Sequence, residues 1–148
     1  MKITEIRTRP LLVPYTKPYH WAQGVIDGAM IILVEVDTDD GLTGYGESVA
    51  TPSAEGIQFY IKQAGSICIG RSPFENARLM SEAYHALFQA LGTCSSPRFG
   101  GQVLAGLEMA LWDLAGKASG LAVHELMGGS LRDEIQYFGF AQGETAEE

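Results

Sequence analysis

Asp37, Asp39, Asp40 and Glu47 form a local group of carboxylates of the kind that can ligate a divalent cation. Three of the four flank one Asp39-Asp40-Gly41 turn between apolar runs, where acids are ordinarily solvated. The group therefore reads as a hairpin surface rather than a metal site. Glu108 and Asp113 fall inside a long apolar helical pattern, and their expected role is salt bridging and hydrogen bonding between layers. The glycine density of Gly41-Leu42-Thr43-Gly44-Tyr45-Gly46-Glu47 is that of a phosphate loop. A dinucleotide fingerprint follows a strand and opens a helix, whereas these glycines lie inside a hairpin, so nucleotide binding is rejected. His124, without a His or Cys at ligand spacing, and His85, among core and surface positions of a helix, are expected to be structural or exposed. His20 differs. It adjoins Tyr19 and Trp21, with Tyr15 and Lys17 upstream, in a Pro14 to Gly24 loop with more aromatic surface than a loop needs to stay in water.

The elements that would position these residues can be read from hydrophobic period and punctuation. Ile3 to Val13 alternates as a strand ended by Pro10 and Pro14, near a sheet edge. Met30, Ile32, Val34 and Val36 form one face of a second strand, and Ile31, Leu33, Glu35 and Asp37 the other. Asp40-Gly41 predicts a hairpin, so Leu42 to Glu47 returns antiparallel. Ser48 to Ser53 is a second loop. Ser53 then caps a helix through Ile57, Tyr60, Ile61 and Ala64, and Ser72-Pro73-Phe74-Glu75 opens another through Leu79, Met80, Ala83, Leu87 and Leu91. Gly92 to Gly101 reads as a linker. Beyond it Leu104, Leu107, Leu111, Leu114 and Ala118 make one apolar stripe on a central helix, with Met109, Trp112, Asp113 and Gly116 opposite and Gly120 as its stop. Val123 to Met127 is a short apolar turn, Gly128-Gly129 breaks the chain, and Ile135 to Ala141 reads as a short strand.

A chain of 148 residues, 46% hydrophobic, can bury a core as one domain or as one domain plus a fragment of another. Its formal charge of −8, with ten scattered basic residues, argues against nucleic acid and anionic membrane surfaces as partners. The two cysteines, Cys68 and Cys94, and the lack of a charged-then-apolar leader make a reducing cytoplasm the expected compartment. The longest apolar run, Ala29 to Val34, is far shorter than the ~20 residues a membrane helix requires.

Glu108-Met109-Ala110-Leu111-Trp112-Asp113-Leu114-Ala115-Gly116-Lys117, followed by Leu126-Met127-Gly128-Gly129, resembles the mandelate racemase/muconate lactonizing branch of the enolase superfamily. Val103 stands where that family usually has Ala, and Ala122 where it often has Pro; neither departure threatens the fold. The resemblance covers the whole chain. It implies an α+β fold in which a three-stranded antiparallel meander is followed by a helical bundle, with Ile135 to Ala141 as the first strand of a truncated (β/α) barrel. Residues 1–129 would be the N-terminal capping domain and 130–148 the start of the barrel domain.

The chemistry so implied is metal-assisted proton abstraction next to a carboxylate, as in a racemase, dehydratase or cycloisomerase, with Mg2+ neutralising the enediolate. In the family the metal ligands and bases lie at the ends of later barrel strands, so no catalytic or metal-binding residue is expected in this chain, which alone is expected to be inactive. The substrate would be a small carboxylate, an acid sugar or a related molecule. By the same resemblance, Tyr19, His20 and Trp21 correspond to the superfamily's mobile lid, and Val49 and Thr51 to its second specificity loop. Aromatics in a Pro-bounded loop also pack onto their own domain, and both readings stand at this point. Without a barrel, Met109, Trp112 and the last strand would leave apolar surface, for which a homo-oligomer is the expected outcome. A non-catalytic module that self-associates is the alternative.

Overall fold

The computed structural model describes residues 1–89 and 97–139. Three strands, β1 (Ile3–Trp21), β2 (Gly24–Thr38) and β3 (Thr43–Val49), form an antiparallel sheet in the order β1-β2-β3. Gly41 closes the β2–β3 hairpin with φ +86°, a conformation that glycine adopts without steric cost. The even positions of β2 make the core face: Ile32, Val34 and Val36 are fully buried.

Helices cover that face. α1 (Ala54–Cys68) starts at Ser53, whose Oγ accepts a hydrogen bond from the Gly56 N–H at 3.2 Å. A 3₁₀ turn (Pro73–Glu75), α2 (Asn76–Tyr84) and a π-helical turn (His85–Gln89) follow. Ser72 Oγ accepts from the Phe74 N–H at 3.3 Å while Glu75 accepts from the Ser72 N–H at 3.4 Å, a reciprocal cap. α3 (Pro97–Ser119) lies across the sheet, and α4 (Val123–Leu126) follows the Gly120 stop, where φ is +68°. Ile57, Ile61, Leu79, Leu107, Leu111 and Leu114 meet the β2 face in one core. Among the described residues no helix is long and apolar enough to cross a membrane.

The contact between β3 and α3 explains the glycine-rich return strand. A Cβ on Gly44 would collide with the Ala110 carbonyl, and one on Gly46 with the Gly106 carbonyl. Glycine at these positions lets strand and helix backbones touch, and Ser48 completes the seam: its hydroxyl donates to the Val103 carbonyl (3.1 Å) and accepts from the Gly106 N–H (2.9 Å).

Four expectations are corrected. The segment from Pro14 is not a loop: β1 runs on to Trp21 and pairs with β2 to the tip. As an edge strand, β1 can place Pro10 and Pro14 at positions whose missing N–H would face outward, so neither ends it. The central helix begins at Pro97, inside the expected Gly92 to Gly101 linker rather than after it; Gly100 lies against the Tyr84 and Phe88 rings, so its small size serves packing. Residues 90–96 of the expected linker, with Leu91 and Cys94, lie outside the described residues. Ala118 is exposed, because α3 crosses β3 with Gly106 beside Ser48 and Lys117 beside Thr43, and the next residue has run off the sheet. Finally, Ile135 to Gly139 form no strand; among the described residues no strand lies beside them to share a ladder, and they are exposed. Residues 140 and 141 of that expected strand lie outside the described residues.

Candidate functional site

One end of the sheet gathers the residues singled out above. β3 ends at Val49, opposite Ile31, and the chain turns through Thr51 and a cis Thr51–Pro52 bond into α1, tied to β2 by the Ala50 N–H donating to the Met30 carbonyl at 3.3 Å. The β1–β2 hairpin does not stop there. Leu12 pairs with Met30 and Pro14 with Gly28; after an irregularity between Pro14 and Tyr19, Tyr19 pairs with Ile26, His20 with Val25 and Trp21 with Gly24. From Ile31 to Ile26 is five residues, roughly 17 Å of strand at ~3.3 Å per residue. The aromatic tip is therefore a flap projecting past the root formed by Val49 and Thr51.

Strand alternation divides the flap. Tyr19 and Trp21 fall with Ile26 and Gly24 on the face that carries Leu12, Met30 and, further down, the core; His20 and Val25 fall on the face of Ile31 and Val49. One molecule lying against the flap meets Tyr19 and Trp21, or His20, but not all three. Nothing between Thr4 and Ile31 is fully buried, and Trp21 is 48% exposed. Leu12, Trp21 and Met30 on one face and Val25 on the other are exposed apolar positions of this hairpin; Pro10 and Pro14 mask the strand alternation on either side of them, which is its signal in the sequence.

Of the four carboxylates around the β2–β3 turn, Asp37, Asp39 and Asp40 are engaged in folding, and Glu47 is exposed. Asp37 pairs with Arg7 at 2.8 Å and accepts from the Thr43 hydroxyl at 2.6 Å. Asp39 accepts from the Lys2 N–H at 2.7 Å, which holds its carboxyl below the usual range. Asp40 accepts from the Thr38 hydroxyl at 2.6 Å, and buried Glu35 pairs with Arg9 at 2.6 Å. Among the described residues no three His, Cys, Asp or Glu side chains converge as a metal donor set, and these acids, each turned to its own partner, do not fit magnesium. Asp113 has the interlayer role expected of it: it accepts from the Tyr45 N–H on the outer edge of β3 (2.9 Å) and from Lys117 Nζ (2.6 Å). Lys117 also donates to the Thr43 carbonyl at 2.8 Å and lies 4.7 Å from the Tyr45 ring centroid. Glu108, His85 and His124 are exposed. Burial pushes the Cys68 thiol up to about 11, so it is inert rather than nucleophilic.

The family described as mandelate racemase/muconate lactonizing enzyme, N-terminal domain, matches residues 3–128. The D-galactonate dehydratase of Verminephrobacter eiseniae (strain EF01-2) is 31% identical over 144 residues, 97% of this chain and 32% of the relative. Among solved structures, 2-chloromuconate cycloisomerase from Rhodococcus opacus 1CP superposes with a TM-score of 0.75 at 27% identity, covering 89% of this chain and 35% of that one. An enolase from Bradyrhizobium complexed with magnesium and mandelic acid superposes with a TM-score of 0.74 at 32% identity, covering 88% and 36%. The chain spans about a third of the length of the curated relatives it matches.

Proposed function

Because this chain belongs to the mandelate racemase/muconate lactonizing enzyme N-terminal domain family, we propose that it is the capping and specificity domain of an enzyme that abstracts a proton next to a carboxylate. The substrate is a small carboxylate, an acid sugar or a relative of one, and the outcome is dehydration, racemisation or cycloisomerisation. The domain comprises residues 1–129, with 130–148 leading toward a barrel. Magnesium and the base belong to that barrel, and the part played by this chain is to cover the substrate, orient it and exclude water. The chain alone turns over no substrate.

The observation that carries this reading is the projecting hairpin. Tyr19, His20 and Trp21 sit well past the last residue of β3, where they contribute nothing to the core, and Val49 and Thr51 stand at its root. Such a flap stands outside the core, where a ligand would meet it. The protein acts in the cytoplasm, without nucleic-acid or membrane partners, and assembles as a homo-oligomer. Exposure of Leu131 (97%), Ile135 (69%), Tyr137 (92%) and Phe138 (80%) also favours a second reading, a module that self-associates without chemistry.

A chimera separates the two. Residues 3–128 of this chain replace the matching segment of the Verminephrobacter eiseniae dehydratase, and turnover of D-galactonate and other sugar acids is measured with magnesium. Turnover by the folded chimera, with kcat/KM lowered about tenfold by Trp21→Ala or His20→Ala at unchanged thermal midpoint, supports the capping reading. Activity indifferent to substitution at Tyr19, His20, Trp21, Val49 and Thr51 overturns it.

A further inference from the structure

On the side of α3 away from the sheet, Pro73, Phe74, Asn76, Trp112, Ala115 and Leu126 line a pocket of about 170 Å3. Its walls are apolar but for one. Asn76 is only 5% exposed, and neither its Oδ1 nor its Nδ2 has a hydrogen-bond partner among the described residues. A buried amide in that state carries an unmet desolvation cost, which a ligand offering both an acceptor and a donor would remove.

The chemistry of the walls restricts that ligand. Among the described residues no charged side chain lines the pocket, so an ionised group would be buried unpaired. Sites for small-molecule ligands ordinarily enclose ~300–1,000 Å3, and this one holds little more than a single side chain. In an extended strand the N–H and C=O of one residue point to the same side, which is the pairing a carboxamide edge accepts. We propose that the pocket receives one apolar residue of an extended polypeptide segment, its backbone N–H and C=O bonding Asn76 Oδ1 and Nδ2 while its side chain lies against Trp112 and Leu126.

The occupant is a segment of the barrel polypeptide, an assignment that rests on the capping function proposed above. Two observations favour that source. The matched relatives are about three times the length of the region they share with this chain, so most of their polypeptide lies outside it. Leu126 lines the pocket, and the segment directly after it, which leads toward that second domain, leaves Met127, Leu131 and Ile135 exposed.

The test uses a neutral model amide and a sign. In a Trp21→Phe background Trp112 is the sole tryptophan, and titration of the 148-residue chain with N-acetyl-leucine-N′-methylamide is followed by its fluorescence. A saturable shift, weakened at least tenfold by Asn76→Leu, is expected. Asn76→Leu should raise the thermal midpoint of the lone chain, by about 3 °C, and lower that of the dehydratase chimera, where the amide is satisfied. The absence of a saturable shift, or the same sign in both proteins, overturns the proposal. Self-association of the lone chain that Asn76→Leu abolishes would make a second copy the occupant and overturn the assignment to the barrel. Should either protein fail to fold with leucine, Asn76→Ala gives the same sign test, and the titration decides where the chimera itself does not fold. Midpoints and binding are read without turnover, so an inactive chimera that shows both signs leaves the pocket assigned while the specificity reading fails.

Discussion

Gly44, Gly46 and Gly106 join β3 to α3 through backbone alone, and this makes their substitution unlike that of other glycines. Gly46→Ala should cost about 3 kcal/mol, because the methyl meets a carbonyl that cannot move without the whole helix. Gly101, exposed and helical with nothing within 4 Å of an added Cβ, should gain about 1 kcal/mol as alanine. Chemical denaturation of the two variants checks both, and equal effects would contradict the seam. Arg71 ties Glu75 (2.6 Å) to Glu82 (3.1 Å), and Arg78 adds a bond to Glu82 at 2.8 Å. The Arg71 hydrogen bond lowers Glu75, and those of Arg78 and then Arg71 lower Glu82. Carboxyls lowered in the folded state stabilise fully above their ordinary value of 4.5 and lose that contribution as pH falls through the lowered one. The thermal midpoint should hold from neutrality to about pH 5 and fall below it, with a shallower fall in Arg71→Ala. An equally steep fall in that variant would remove the network as its cause.

At the level of elements, the hairpin from Leu11 to Met30 separates folding from function. No residue between Thr4 and Ile31 is fully buried, and the sheet is anchored by Ile3, Ile32, Val34 and Val36, with partly buried Ile6 packed against the same core. Replacing residues 15–25 by Asn-Gly should change the thermal midpoint by no more than about 4 °C, while in the chimera it should impair use of the substrate. A loss of ten degrees or more would mean that the flap packs on its own domain. The strands, their antiparallel order and the Ser53 and Ser72 caps were legible, since period and punctuation are local signals. The length of β1 was not, because a proline is tolerated or disruptive according to whether its position faces a neighbouring strand, and only the pairing decides that.

For the whole molecule, Met109, Met127, Leu131, Tyr137 and Phe138 are exposed apolar side chains of the kind that association covers. Sedimentation at micromolar concentration should show assemblies above the monomer mass, unaffected by Asn76→Leu. A monomer across that range would count against the homo-oligomer. Replacing Leu131 and Tyr137 with serine should reduce association without lowering the thermal midpoint, since both are more than nine-tenths exposed and outside the core.

What the sequence by itself determined is what local chemistry dictates: the Asp-Gly hairpin, the apolar stripe from Leu104 to Leu114, the helix caps and the run of residues through Lys117 and Gly129 that marks the family. Tertiary structure alone decided the rest. Tyr19 and His20 would point to opposite faces of any strand, but only the continuation of β1 and its register on β2 put Tyr19 on the core side and His20 on the other. Asn76 reads as an ordinary polar residue at a helix start until burial beside Trp112 leaves its amide without a partner among the described residues. Both are outcomes of long-range packing, and no pattern of nearby residues encodes which groups will be enclosed together.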